Sequence, residues 1–116
     1  MTSKEMSKLV VKAIEDLKGQ SITSLNVSDL TQVTDYMVIV TGTSRTHIKA
    51  ISNEVVRQAK EAGMNILGVE GKEQAEWVLV DLGAVVVHVM SAPVRSLYNL
   101  EELWNFTSNR DEKAEK

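Results

Sequence analysis

Residues 76–90 decide the fold; they read EWVLVDLGAVVVHVM and predict a β-hairpin that turns at Gly83. Alternate side chains of a strand point to opposite faces of its sheet. One face of the hairpin then carries only aliphatic side chains, at positions 78, 80, 82, 85, 87 and 89. A loop of even length gathers the others on the second face: Trp77, Leu79, Asp81, Val86, His88 and Met90. We expect the first face to be core, and the second to be covered by the chain's own helices or offered to a partner.

Two amphipathic helices are predicted before the hairpin. The first carries apolar side chains at helical spacing, begins at a capping box formed by Thr2 and Glu5, and ends at Gly19. The second follows residues 42–44 and ends at Gly63. The apolar stripe of each helix is expected to pack on a sheet.

Three further strands are predicted from the apolar segments between these helices. Residues 36–40 are continuously apolar, which is typical of a central strand buried on both faces. Residues 22–27 and 66–69 predict shorter strands, and Ser28 is expected to cap a single helical turn at residues 29–33. The helical crossovers predict parallel pairs, and the hairpin predicts an antiparallel pair.

The C-terminal part predicts two short helices, at residues 93–97 and 100–105, with Pro93 at the start of the first. Residues 109–116 alternate in charge and are expected to be disordered. The predicted fold class is therefore α/β (α+β). Residues 1–108 are expected to form a single domain with a mixed, roughly five-stranded sheet flanked by helices.

Composition excludes several classes of function. The chain has no cysteine, so disulfides and thiolate metal sites are excluded. Its formal net charge is -3, and Lys and Arg are scattered among Asp and Glu, so little direct contact with nucleic acid is expected. The first residues lack a signal-peptide pattern, and no apolar run could span a bilayer. A cytoplasmic protein is expected.

Two places in the sequence bear on chemistry. Residues 42–44 (Gly-Thr-Ser) lie between a strand and a helix, where backbone N–H groups can hold a phosphate; the simpler interpretation is a turn followed by a Ser44 cap. Asp81 and His88 share a hairpin face but have no evident nucleophile or metal beside them. His47 is interpreted as a solvated residue of the helix's first turn. We therefore predict no catalytic residue, metal site or cofactor.

The aromatic residues are concentrated on the hairpin and near the C-terminus, at Trp77, Tyr98, Trp104 and Phe106. Tyr98 and Trp104 either fold back on Trp77 to close a small core or join it as anchors on a binding face. Trp and Tyr are enriched among the residues that dominate binding interfaces. Both interpretations stay open from the sequence.

Four signatures occur in order along the chain: DY at 35–36 with VIVTGTS at 38–44, EG at 70–71 with WVLVDLG at 77–83, VVHV at 86–89, and finally Arg95, Tyr98, Leu100, Glu101, Leu103 and Trp104. Through them, residues 8–105 resemble the ribosomal silencing factor (RsfS/Iojap) family. The departures are small. Ala84 stands where the family usually has Asp, which lowers the negative charge at the hairpin tip.

The resemblance implies a nucleotidyltransferase-like topology without the catalytic carboxylates. It implies a translational repressor that binds the large ribosomal subunit through the uL14 ribosomal protein and sterically blocks joining of the small subunit when nutrients are limiting. It also implies a homodimer. The expected partner-binding residues are Trp77, Leu79, Asp81, His88, Arg95, Tyr98, Leu100, Glu101 and Trp104.

Within this set, Trp77 and Leu79 are expected to be apolar anchors. Asp81, Arg95 and Glu101 are expected to form a charged rim or to position the last helix against the hairpin. Three alternatives are kept. The chain could assist large-subunit assembly, as organelle relatives do. It could be a nucleotide-binding or nucleotidyltransferase-related enzyme that uses residues 42–44, or a module whose second hairpin face is only a homodimer seam.

Overall fold

A computed structural model describes residues 1–99 and confirms the predicted fold class. The elements in chain order are α1 (Ser3–Asp16), β1 (Gln20–Asn26), β2 (Tyr36–Thr41), α2 (Arg45–Glu61), β3 (Gly68–Glu70), β4 (Trp77–Asp81), β5 (Val85–Met90) and α3 (Ala92–Tyr98). The five strands form one mixed sheet in the order β1-β2-β5-β4-β3. The β2–β5 pair is parallel and the other pairs are antiparallel.

The hairpin has the predicted register, and its two faces are therefore as expected. Trp77 pairs with Met90, Leu79 with His88, and Asp81 with Val86. These side chains share one side of the sheet, which we call the open face. The intervening aliphatic side chains of the hairpin lie on the opposite side, the helix face.

The main core lies between the helix face and the helices α1 and α2. It joins the apolar stripes of both helices to the buried side chains of β2, β4 and β5. The helix-face residues Val78, Val80, Val87 and Val89 are completely buried there. Burial of apolar surface is the main force that stabilises such a core.

The helix starts follow the predicted capping, but one helix end differs. Thr2 and Glu5 form the capping box of α1, and the Ser44 hydroxyl accepts the His47 backbone N–H at the start of α2. After α1, Lys18 and not Gly19 adopts the left-handed conformation, with φ 59°. Gly19 is needed for space, since an added Cβ would lie 2.4 Å from a side-chain carbon of Ile14.

Several predicted boundaries are corrected by the structure. The single turn predicted at residues 29–33 begins earlier, because the Thr31 backbone N–H donates to the Val27 carbonyl oxygen, and Ser28 lies within this turn and does not cap it. The connection between β1 and β2 contains no helix, and the two strands pair antiparallel. The strand predicted at 66–69 is Gly68–Glu70. The predicted helix at 100–105 and the tail at 109–116 lie outside the described residues.

Within residues 1–99, every helix is too short or too polar to cross a membrane.

Candidate functional site: the open face of the sheet

The open face is only partly covered by the described chain. Met37, Ile39 and Met90 are buried there beneath Val94 of α3 and Leu30 of the β1–β2 connection. Toward the other edge of the sheet the covering ends, and Leu79, Asp81 and Val86 are partly exposed. Of the two outcomes predicted for this face, each applies to one half: one half is core, and the other is accessible.

Helix α3 is held over the covered half by its cap and by Arg95. The Ser91 hydroxyl accepts the Val94 backbone N–H at the start of the helix. The Arg95 guanidinium donates to the hydroxyls of Thr41 (2.9 Å) and Thr23 (3.1 Å). Arg95 therefore positions α3 against β1 and β2, whereas the sequence predicted that it would act against the hairpin or at the rim.

Three ring side chains fix the boundary between the covered and accessible halves. The Trp77 indole N–H donates to His88 Nδ1 at 2.9 Å. The Tyr98 ring lies on Trp77 with a centroid distance of 4.8 Å and an interplanar angle of 48°. Tyr98 is 56% exposed and Trp77 is half-buried. Tyr98 thus does fold back on Trp77, while the ring pair stays accessible to a partner.

His88 is a supporting residue and not an accessible one. It is only 9% exposed, and burial lowers its pKa from 6.5 to about 4. The imidazole is therefore neutral at pH 7, and Nδ1 is free to accept the indole N–H. This arrangement orients Trp77. His88 was predicted as a residue that forms or supports the partner-binding surface. In the described residues it supports that surface by holding Trp77 in place.

The accessible half has an acidic border. Asp81 lies at the hairpin end, where its carboxylate accepts the Gly83 backbone N–H at 2.9 Å. Glu70, on the neighbouring edge strand, pairs with Leu79 and is exposed. Leu79 therefore has one acidic residue two positions along its own strand and another opposite it on β3.

Glu70 and Gly71 were not among the predicted site residues. With Trp77, Leu79 and His88 they line a depression of about 260 Å³ on the open face. The sequence signal was available, because Glu70-Gly71 is part of the second family signature. What the sequence lacked was the pairing of β3 with β4, which brings Glu70 beside Leu79.

Three of the predicted site residues, Leu100, Glu101 and Trp104, lie outside the described residues. The structure brings together Trp77, Leu79, Asp81, His88 and Tyr98 on one face. Arg95 lies beside them on α3, with its guanidinium directed to β1 and β2.

The other candidate region surrounds residues 42–44, at the carboxyl ends of the parallel strands β2 and β5. A depression of about 490 Å³ lies there, and Arg45 and Glu76 at its border form an ion pair of 3.2 Å. Ser44 acts as the α2 cap, as the simpler interpretation predicted. Nowhere in residues 1–99 do three or more His, Cys, Asp or Glu residues cluster as a metal site would require.

His47 differs from its prediction as a solvated residue. Its Nδ1 accepts the Thr43 backbone N–H at 2.9 Å, and its Nε2 lies 2.7 Å from the carbonyl oxygen of Leu17. The ring thus joins the end of α1 to the loop before α2. This contact supports a structural role for the loop and supplies no acid–base group to the depression.

Comparison with known proteins gives a consistent result. A family model described as "Ribosomal silencing factor during starvation" matches residues 1–116. The ribosomal silencing factor RsfS of Chromobacterium violaceum is 49% identical over 104 residues, covering 90% of this chain and 85% of that protein. A crystal structure of a C. violaceum protein matches with a TM-score of 0.89 and 48% identity, covering 90% of this chain and 88% of that one.

A more distant relative has a name that indicates a different role. The mouse protein "Mitochondrial assembly of ribosomal large subunit protein 1" is 31% identical over 110 residues. The match covers 92% of this chain and 48% of the mouse protein.

Proposed function

This chain belongs to the RsfS family of ribosomal silencing factors, and on that premise we propose that it represses translation by binding the large ribosomal subunit through uL14. Bound there, it keeps the small subunit from joining. The observation that carries the proposal is the accessible half of the open face, where Leu79 and the Trp77–Tyr98 ring pair are available to a partner.

The anchors of this face are held in place before binding. Trp77 is oriented by its hydrogen bond to His88 and by the Tyr98 ring. A side chain that is already ordered loses less conformational entropy on association, so more of its contact energy contributes to affinity. Buried aromatic anchors at the centre of an interface usually dominate its binding energy.

The charges suit a basic protein partner better than RNA. Asp81 and Glu70 border the apolar centre, and the whole chain has a net charge of -3. Electrostatic complementarity with a basic ribosomal protein would speed and orient docking. Contact with the RNA phosphates would instead need a basic patch.

Obstruction of subunit joining requires affinity and position but no reaction. We therefore propose that the protein is not an enzyme and needs no cofactor, and that it acts in the cytoplasm. Calorimetric titration with nucleotides and Mg²⁺ tests this directly. Heat of binding that disappears in Ser44→Ala would support the enzyme alternative instead.

The protein is also proposed to form a homodimer, through a surface other than the open face. Sedimentation equilibrium of Leu79→Asp separates this from the alternative in which the open face is only a dimer seam. A dimeric Leu79→Asp protein supports the proposal, whereas conversion to monomers supports the seam.

The main experiment is sedimentation of the purified protein with separated ribosomal subunits. We expect co-migration with the large subunit alone and fewer joined ribosomes as protein is added. Trp77→Ala and Leu79→Asp should each weaken binding by about a hundredfold or more, because both remove a central anchor. Leu67→Asp is the matched control, since Leu67 is 65% exposed and lies outside the open face.

Folded Trp77→Ala and Leu79→Asp proteins that bind large subunits normally would show that the open face is not the docking surface. Loss of binding in Leu67→Asp as well would point to a general effect of the added charge. Circular dichroism and thermal unfolding of each variant establish that the fold is retained.

A second function, assistance in large-subunit assembly, is favoured by the name of the mouse relative. The two functions differ in the particle that is bound. A silencing factor should bind mature large subunits and reduce subunit joining in a purified system. An assembly factor should prefer incomplete large subunits, and its depletion should cause such particles to accumulate.

A further inference from the structure

We propose that the depression lined by Glu70, Gly71, Trp77, Leu79 and His88 is a pocket for a single lysine or arginine side chain of the protein partner. This inference rests on the proposed function and assigns a chemical class to one contact within it. It brings Glu70, which the sequence did not select, into the binding site.

The backbone places a carboxylate beside an apolar surface. Glu70 pairs with Leu79 across β3 and β4, so both side chains lie on the open face. Gly71, with φ 89°, then turns the chain toward the hairpin. A Cβ at Gly71 would lie 2.2 Å from the Trp77 carbonyl oxygen, and only glycine therefore permits this close approach.

The pocket is negative, and the described residues do not neutralise it. Glu70 forms no ion pair or hydrogen bond through its side chain within residues 1–99. The nearest cation in sequence, Lys72, donates to Asn53 of α2, on the other side of the sheet. His88 carries no positive charge at pH 7, because burial lowers its pKa to about 4.

The walls suit a long cationic side chain. Leu79 and Trp77 offer apolar surface to the methylene stem of a lysine or arginine, whose charged end can remain near water and Glu70. A neutral aliphatic side chain would use the walls but leave the carboxylate without a partner.

The size of the depression supports one side chain over a small-molecule ligand. Its volume is about 260 Å³. Pockets for cofactors and drug-sized ligands usually occupy about 300–1,000 Å³ and enclose most of the ligand. This depression is smaller and lies on a sheet face, where a protruding residue of a docked protein can reach it.

The test compares Glu70 variants in binding to purified large subunits at low and moderate salt. Glu70→Lys should weaken binding by about tenfold or more at low salt, because attraction is replaced by repulsion. Glu70→Gln should weaken it about threefold to fivefold and make binding less sensitive to salt, because one ionic contact is lost. Glu15→Lys is the matched control, with the same charge change on the exposed surface of α1.

The outcomes separate this inference from the proposed function. In one outcome, Leu79→Asp abolishes binding while Glu70→Lys binds with an affinity within twofold of that of Glu15→Lys. The open face is then the docking surface but the pocket binds no cation, so only this inference is overturned. Failure of the unaltered protein to bind large subunits overturns both. An equal loss of affinity in Glu15→Lys would assign the effect to net charge and also overturn the pocket.

Discussion

The helix face and the open face of this sheet are built from alternate residues of the same strands, yet they are buried to different extents. On the helix face, Val78, Val80, Val87 and Val89 are fully buried by α1 and α2. On the open face, Leu79 and Asp81 of the same β4 strand are partly exposed. The main core thus lies on one side of the sheet, whereas the other side is buried over one half only and leaves its second half accessible.

The largest effect on stability is expected from the core that covers the helix face. Ile51 of α2 is fully buried, so Ile51→Ala should lower the free energy of unfolding by about 2–5 kcal/mol through lost burial and a residual cavity. Urea unfolding measures this change. Val33→Ala, at a side chain that is 83% exposed, should change stability by less than about 0.5 kcal/mol. Similar losses in the two variants would contradict the assignment of Ile51 to the core that stabilises the helix face.

A smaller loss is expected where the open face depends on its backbone. Gly71→Ala should cost about 2–3 kcal/mol, since it adds a steric clash with the Trp77 carbonyl to an unfavourable φ of 89°. Gly63→Ala measures the cost of the unfavourable φ alone, because Gly63 has φ 81° and no atom near an added Cβ. This substitution should cost about 1 kcal/mol. Thermal unfolding measures both. Equal costs would show that the loop moves away from β4 without penalty.

Acid should weaken the fold through the open face. The pKa of His88 is lowered from 6.5 to about 4 in the folded protein, so the unfolded chain binds its proton more readily. The stability that the folded protein gains from neutral His88 is complete above pH 6.5, and it is lost progressively as the pH drops toward 4. Between pH 7 and pH 5 the free energy of unfolding should fall by about 2 kcal/mol on this account.

His88→Gln tests that assignment, because an uncharged side chain with an acceptor oxygen removes the titration. Urea unfolding at pH 7 and pH 5 should then show a much smaller difference between the two conditions. A pH dependence as steep as that of the unaltered protein would mean that other groups are responsible.

The smallest effect on stability is expected at the accessible half of the open face. Leu79→Ser should lower the free energy of unfolding by less than about 1 kcal/mol, because Leu79 is partly exposed before the change. The same variant should clearly weaken binding to large subunits. A loss of stability comparable with that of Ile51→Ala would show that Leu79 is core, and the contrast between the faces would fail.

Features that depend on neighbouring residues in sequence were predicted well. The alternation in residues 76–90 defined both hairpin faces, and the Thr2–Glu5 box and the Ser44 cap were visible as short motifs. The family signatures identified the class of protein. These features involve local periodicity and capping, which obey rules that the sequence displays directly.

Features that depend on distant contacts were missed. The contact of His47 with Leu17 joins residues 30 positions apart, and no local pattern announces it. The burial of His88 follows from covering by other elements, whereas its own strand pattern is equally compatible with exposure. Glu70 was visible in a family signature, but its position beside Leu79 depends on the pairing of β3 with β4.

The strand order also determines when the fold can be completed. β5 is the last of the five strands in the chain, yet it lies at the centre of the sheet, between β2 and β4. Its parallel pairing with β2 closes a long loop that contains α2, β3 and β4. Such non-local pairing slows folding, because the entropy of loop closure is lost before the contacts form. A newly made chain must therefore keep one edge of the apolar β2 strand unpaired until residues 85–90 have been synthesised.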